Sequence, residues 1–127
     1  MADPITSALR AASDGMNAQS LRLRTVNENI SNIDTPGYQR KLLSFGLGEG
    51  EGSVEVKALS LDPSEGRSVL DPAHPMADEN GYVTLSNVDV MIEMADAREA
   101  KRTFDSNLEA FQQARDMYAG LVGLLRR

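Results

Sequence analysis

The sequence predicts a mainly α-helical, elongated protein. Long N- and C-terminal helices pack as a coiled-coil-like pair, with a small β- and loop-rich segment between them. Three observations predict this. Apolar residues recur at alternating four- and three-residue steps at both ends of the chain, which is the spacing of a helix seam. Six of the ten glycines and three of the five prolines fall within residues 46–85, so the ends are nearly free of helix breakers. The same central stretch carries a net charge of −6, while residues 1–45 and 86–127 carry +1 and −1.

The first helix is expected from about residue 4 to about residue 33. Asp3 suits the N-cap, and Pro4 suits the first helical position, where its missing N–H is no loss. The stripe runs Ile5, Leu9, Ala12, Met16, Leu23, Val26 and Ile30, with Gln19 in the remaining place. Gly15 is the internal weakness, costing about 1 kcal/mol against alanine. Asn32 and Asp34 weaken the end, and Pro36 pushes Thr35 out of the helical region. Pro36-Gly37 then fits the centre of a type II turn.

In the middle, Val54-Glu55-Val56 and Tyr82-Val83-Thr84-Leu85 alternate as strands do, and they support one small hairpin or sheet. The second helix is expected from about Val88 to the C-terminus. Ser86 or Asn87 caps it, Asp89 lies in its first turn, and Arg126 and Arg127 stand at the end favoured by cations. Its stripe is Val90, Met94, Ala97, Phe104, Leu108, Phe111, Tyr118, Val122 and Leu125, with Lys101 and Arg115 in the leftover places and Ala100, Ala114 and Leu121 widening it. Residues 1–35 with 86–127 thus form a terminal helical domain, and 36–85 a central segment.

Length then demands partners. At 1.5 Å per residue these helices reach roughly 45 and 60 Å, whereas a compact chain of 127 residues has a radius of gyration near 14 Å. Narrow stripes on elongated helices leave apolar surface wet unless other chains cover it.

Composition excludes much chemistry. Without cysteine there is no disulfide, thiolate nucleophile or Cys-ligated metal, and the one histidine, His74, precludes a multi-histidine site. The overall charge of −6 argues against nucleic acid, and no apolar run nears the roughly 20 residues of a membrane span. The opening MADPITSALRAASDG has no basic leader with an apolar core, so signal-peptide secretion is not expected. Asp71-Pro72-Ala73-His74-Pro75 pairs an acid with the histidine, but the prolines favour a rigid turn over a general base. Asp78-x-Asn80-Gly81 lacks the later ligands of a calcium loop and reads as a turn. Asn29-Ile30-Ser31 has the glycosylation pattern but lies on a helix. No enzyme, catalytic residue, metal or cofactor is expected. The stripes serve an assembling subunit, a cytoplasmic helical adaptor or export chaperone for one partner, or a plain intramolecular hairpin.

One stretch points further. Asn29-Ile30-Ser31-Asn32-Ile33-Asp34-Thr35-Pro36-Gly37-Tyr38 resembles the rod-protein motif of bacterial flagellar axial proteins, shared by rod, hook and hook-associated subunits. Val69-Leu70-Asp71-Pro72-Ala73-His74-Pro75, Ala77-Asp78-Glu79-Asn80-Gly81-Tyr82-Val83, Asn87-Val88-Asp89 and Glu93-Met94 resemble the proximal-rod members of that family. Arg102 and Phe104 to Leu108 continue the likeness. Ser86 and Phe104 depart from the usual proline and tyrosine, and residues 46–53 match no pattern. The resemblance implies a structural subunit of the drive shaft in the basal body, exported unfolded through the flagellar type III apparatus and assembled in the periplasm. It implies terminal helices in an inner tube and a central segment facing outward. The implied partners are copies of itself, neighbouring rod proteins and the rod–MS-ring junction protein, with no nucleic acid and no membrane insertion.

Overall fold

A computed structural model describes residues 3–50 and 52–126. The order is α1 (Pro4–Ser31), β1 (Lys41–Leu47), β2 (Val54–Leu61), β3 (Ser68–Leu70), β4 (Tyr82–Thr84) and α2 (Val90–Leu125). The helices are antiparallel: Asn29 faces Glu93, Arg22 faces Asp96, and Gly15 faces Asn107. They are unbroken, about 42 and 54 Å long at helical rise. The accessible surface of 8902 Å² exceeds the roughly 6600 Å² of a compact monomer of this mass. No described helix is long and apolar enough to cross a membrane.

The seam is the finding that matters most for function. On α2, Glu93, Ala100 and Ala114 are buried and Asn107 is half-buried, a strict seven-residue line. On α1 the facing line is Gly15, Arg22 and Asn29, flanked by buried Ala12 and Val26. In both helices the seam's centre stands one position before part of the expected stripe. Small residues explain this: Ala100, Ala114 and Gly15 let the backbones close, which larger residues do not allow. A Cβ on Gly15 would come within 2.5 Å of Asn107 Nδ2, so the apparent weakness of α1 is the hole that the Asn107 side chain fills.

Asp3 stands at the N-cap of α1 as expected, though its side chain makes no capping bond to the backbone and accepts instead from the Thr6 hydroxyl at 3.3 Å. Two expectations are corrected. Asp89, not Ser86 or Asn87, caps α2, accepting from the Met91 N–H at 2.9 Å. The middle holds two antiparallel hairpins, β1–β2 and β3–β4, where one was expected. In β2 the apolar residues change parity, from Val54 and Val56 to Leu59 and Leu61. An irregularity opposite Ser44 and Phe45 absorbs that change, pairing Phe45 with Val56 and Leu43 with Leu59. A slip of one residue sends side chains to the other face, and a bulge restores them. The turn after α1 is as expected: Tyr38 N–H bonds Thr35 C=O at 3.2 Å across Pro36-Gly37, and Gly37 has φ +74°.

Gly66 gives a sharp local test. A Cβ there would lie 2.0 Å from the Leu85 carbonyl oxygen, on the strand of backbone leading into α2. Backbone cannot step aside as a side-chain tip does. Gly66→Ala is expected to cost about 2–3 kcal/mol, in the range of overpacked sites, read by thermal denaturation. A change below half a kilocalorie would mean that the two segments lie further apart.

Candidate assembly interface

A buried polar joint fixes the helix pair to the centre. Asn29, on the last turn of α1, is almost fully buried. Its Nδ2 donates to the Lys41 carbonyl at 3.0 Å and to Glu93 Oε2 at 3.3 Å, while its Oδ1 accepts from the Lys41 N–H and the Tyr38 hydroxyl, each at 2.9 Å. Every polar site of the amide is used, as burial requires. Glu93 has no exposed surface and is ion-paired with Arg40 Nε. Arg40 also reaches Asp96 at 2.7 Å, and Asp96 takes Arg22 at 3.4 Å. Burial works against the Arg40 charge, yet Glu93, with Asp96, holds its pKa above the ordinary value. Burial, and then the Glu28 charge, push the Tyr38 phenol up.

Asn87 closes the joint from the other side. Its Oδ1 accepts from the Arg40 N–H at 2.6 Å, and its Nδ2 donates to the Asp62 and Ser64 carbonyls, each at 3.0 Å. Ser86, buried, bonds the Ile33 carbonyl, and the Gly37 N–H bonds the Thr84 carbonyl at 3.0 Å. So the N-terminal motif residues Asn29, Gly37 and Tyr38 meet the distant Asn87 in one cluster. Asn32, Thr35 and Pro36 shape the turn beside it: Thr35 Oγ1 donates to Asn32 Oδ1 at 3.1 Å. Buried Val83 pairs with Val69 across β3–β4, and Val88 is half-buried before α2.

Asp71, Pro72, His74, Pro75, Ala77, Asp78 and Gly81 lie apart, in the loop of the β3–β4 hairpin, and Tyr82 begins β4 opposite Leu70. The His74 N–H bonds Asp71 C=O and the Ala77 N–H bonds His74 C=O, both at 3.0 Å. His74 Nδ1 accepts the Met76 N–H at 3.0 Å, so the imidazole is occupied in holding a turn. Asp78 Oδ1 accepts the N–H groups of Asn80 and Tyr82, each at 2.9 Å. His74→Asn keeps a side-chain acceptor near the Met76 N–H and is expected to change stability by less than about 1 kcal/mol, the worth of one exposed hydrogen bond. A chemical-denaturation midpoint unchanged in slope checks it; loss of cooperative unfolding would show that the ring does more.

The stripes divide between two faces. In α1, Ala12 and Val26 are buried and Ile5, Leu9, Met16, Leu23 and Ile30 half-buried. In α2, Ala97, Phe104, Phe111 and Val122 are half-buried, while Val90, Met94, Leu108, Tyr118 and Leu125 are exposed. One helix therefore presents two apolar faces, one on α1 and one to solvent. Arg40, Asp96 and Arg22 were not singled out in the sequence, and Glu93 entered only through the family likeness. The signal available for Glu93 was its place on the Ala100–Asn107–Ala114 line.

A helix closed by an Asn-anchored turn is thus joined through buried polar side chains to a second, longer helix, and the comparisons with known proteins place both parts in flagellar rod proteins. The family model described as "Flagella basal body rod protein" matches residues 9–39, and "Flagellar basal body rod FlgEFG protein C-terminal" matches residues 79–124. A flagellar basal-body rod protein FlgC of Agrobacterium fabrum is 44% identical over 98% of this chain and 97% of its own length. FlgC of Aquifex aeolicus is 33% identical, over 90% of this chain and 92% of its own, and that of Salmonella typhimurium 31%, over 84% and 87%. The chain belongs to the FlgC family of flagellar basal-body rod proteins.

Proposed function

We propose that the chain is a non-enzymatic building block of the flagellar proximal rod, transmitting torque as part of a rigid tube in the periplasmic space. Its partners in this reading are copies of itself, the neighbouring rod proteins and the rod–MS-ring junction protein, reached after unfolded export through the type III apparatus. The terminal helices form the assembling domain and the central segment faces outward. The observation that carries the reading is the exposed half of the α2 stripe: an intact helix leaves Leu108 38% and Leu125 86% exposed. Water does not stabilise such a row, and a tube of packed helices covers it. Purified hook–basal bodies are the test. Co-fractionation of the chain with them supports the reading, and recovery only as a soluble cytosolic complex defeats it.

A further inference from the structure

The turn Asp78-Glu79-Asn80-Gly81 brings together a reactive pair of neighbours. The chain has seven asparagines, and Asn80 alone precedes a glycine. Such a pair loses the side-chain amide spontaneously, because the backbone nitrogen of a residue without a Cβ approaches the asparagine Cγ unhindered. Every other asparagine is followed by a residue whose Cβ crowds that attack. Asn80 is exposed, and the hydrogen bonds of the turn use its backbone N–H, not its side chain.

The attacking atom is not free in the folded chain. Gly81 is buried, and its N–H donates to the Asp78 carbonyl at 3.0 Å. Its own carbonyl accepts from the Asp71 N–H at 2.8 Å, so the residue is held from both sides. Asp78 Oδ1 fixes the N–H groups on either flank, those of Asn80 and Tyr82, each at 2.9 Å. The same carboxylate opposes the negative charge that the Gly81 nitrogen gains as it gives up its proton.

We propose that Asn80-Gly81 is a deamidation site that the unfolded chain exposes and the closed β3–β4 turn shields, with Asp78 as the shielding residue. In the reaction the Gly81 nitrogen attacks Asn80 Cγ, an N–Cγ bond forms and the Cγ–Nδ2 bond breaks. Nδ2 leaves as ammonia, taking the proton that the Gly81 nitrogen gives up. Water then opens the five-membered imide at one carbonyl or the other, giving aspartate or isoaspartate. Aspartate leaves the backbone as it was. Isoaspartate adds a carbon to the backbone between Asn80 and Gly81, where space is short: even a Cβ on Gly81 would lie 2.9 Å from Pro72 Cγ. A chain altered before it folds therefore fails to close this turn with Tyr82 opposite Leu70.

The full chain is incubated at neutral pH, folded and in guanidinium, and the change of amide to acid is followed by peptide mass spectrometry. In the denatured chain Asn80 is expected to react well ahead of the other six asparagines. In the folded chain its loss is expected to be about tenfold slower, the worth of the hydrogen bonds that must open first. Folded Asp78→Ala, with its helix content checked by circular dichroism, is expected to react about fivefold faster than the folded parent. A denatured chain in which Asn80 reacts no faster than Asn87 overturns the site. Equal rates in the folded and denatured chain overturn the shield, and a folded Asp78→Ala that matches the parent removes Asp78 from it. After refolding, limited proteolysis is expected to cut the isoaspartate form at the turn before the parent, and equal resistance would show that the turn admits the extra carbon.

Discussion

Arg40→Ala is expected to destabilise the folded chain by about 3–5 kcal/mol, because it leaves Glu93 as an unpaired carboxylate with no access to water. Glu93 touches no solvent, and its second oxygen has only the Asn29 amide at 3.3 Å. Asp96, at the other arm of the guanidinium, is a third exposed and recovers water when Arg40 is lost, so it adds little. For a domain of this size each kilocalorie moves Tm by about 4 °C, and a fall of 12–20 °C follows. Moderate salt will not mimic the substitution, since a buried pair is screened weakly. The double variant Arg40→Met, Glu93→Leu is expected to recover most of the loss, because two apolar groups of similar size need no partner. Thermal unfolding of the three variants decides. A single variant within about 1 kcal/mol of the parent would mean that the joint is wet.

That joint also marks where the sequence could be read and where it could not. Both helices were readable, since a seven-residue apolar repeat survives any tertiary context. So was the turn at Pro36-Gly37, because proline and glycine act on the backbone locally. The choice of face was not readable. Apolar size ranks Leu108 above Ala100, yet close backbone approach favours the smaller side chain, and that preference exists only once a second helix is present. Hairpin β1–β2 was hidden by the parity change between Val56 and Leu59, which reads as an absence of alternation. Asn29 and Asn87 stood in the family motif, but nothing in a linear chain says that they meet around one arginine, with Asn87 47 residues away from it.

The two faces of α2 separate under one kind of substitution. Ala100 is 0% exposed on the seam line, and Ala100→Asp forces a larger, charged side chain between two closely packed backbones, expected to cost about 3 kcal/mol and to lose the cooperative melt. Leu108→Asp makes the same charge on the outward face, where 38% of the residue already meets water. Its cost to the monomer is expected near 1 kcal/mol, typical of partly exposed positions, with helix content unchanged. In the assembled rod the same carboxylate would be enclosed by a neighbour, so Leu108→Asp is expected to abolish swimming in soft agar and to drop out of basal bodies. Gln112→Asp, four residues on and exposed, lies off both lines and should swim almost as the parent does. The contrast, not either loss alone, carries the argument: Ala100→Asp fails before assembly and Leu108→Asp fails at it. A Leu108→Asp strain that swims normally, or a Gln112→Asp strain equally crippled, would remove the outward face of α2 from the assembling surface.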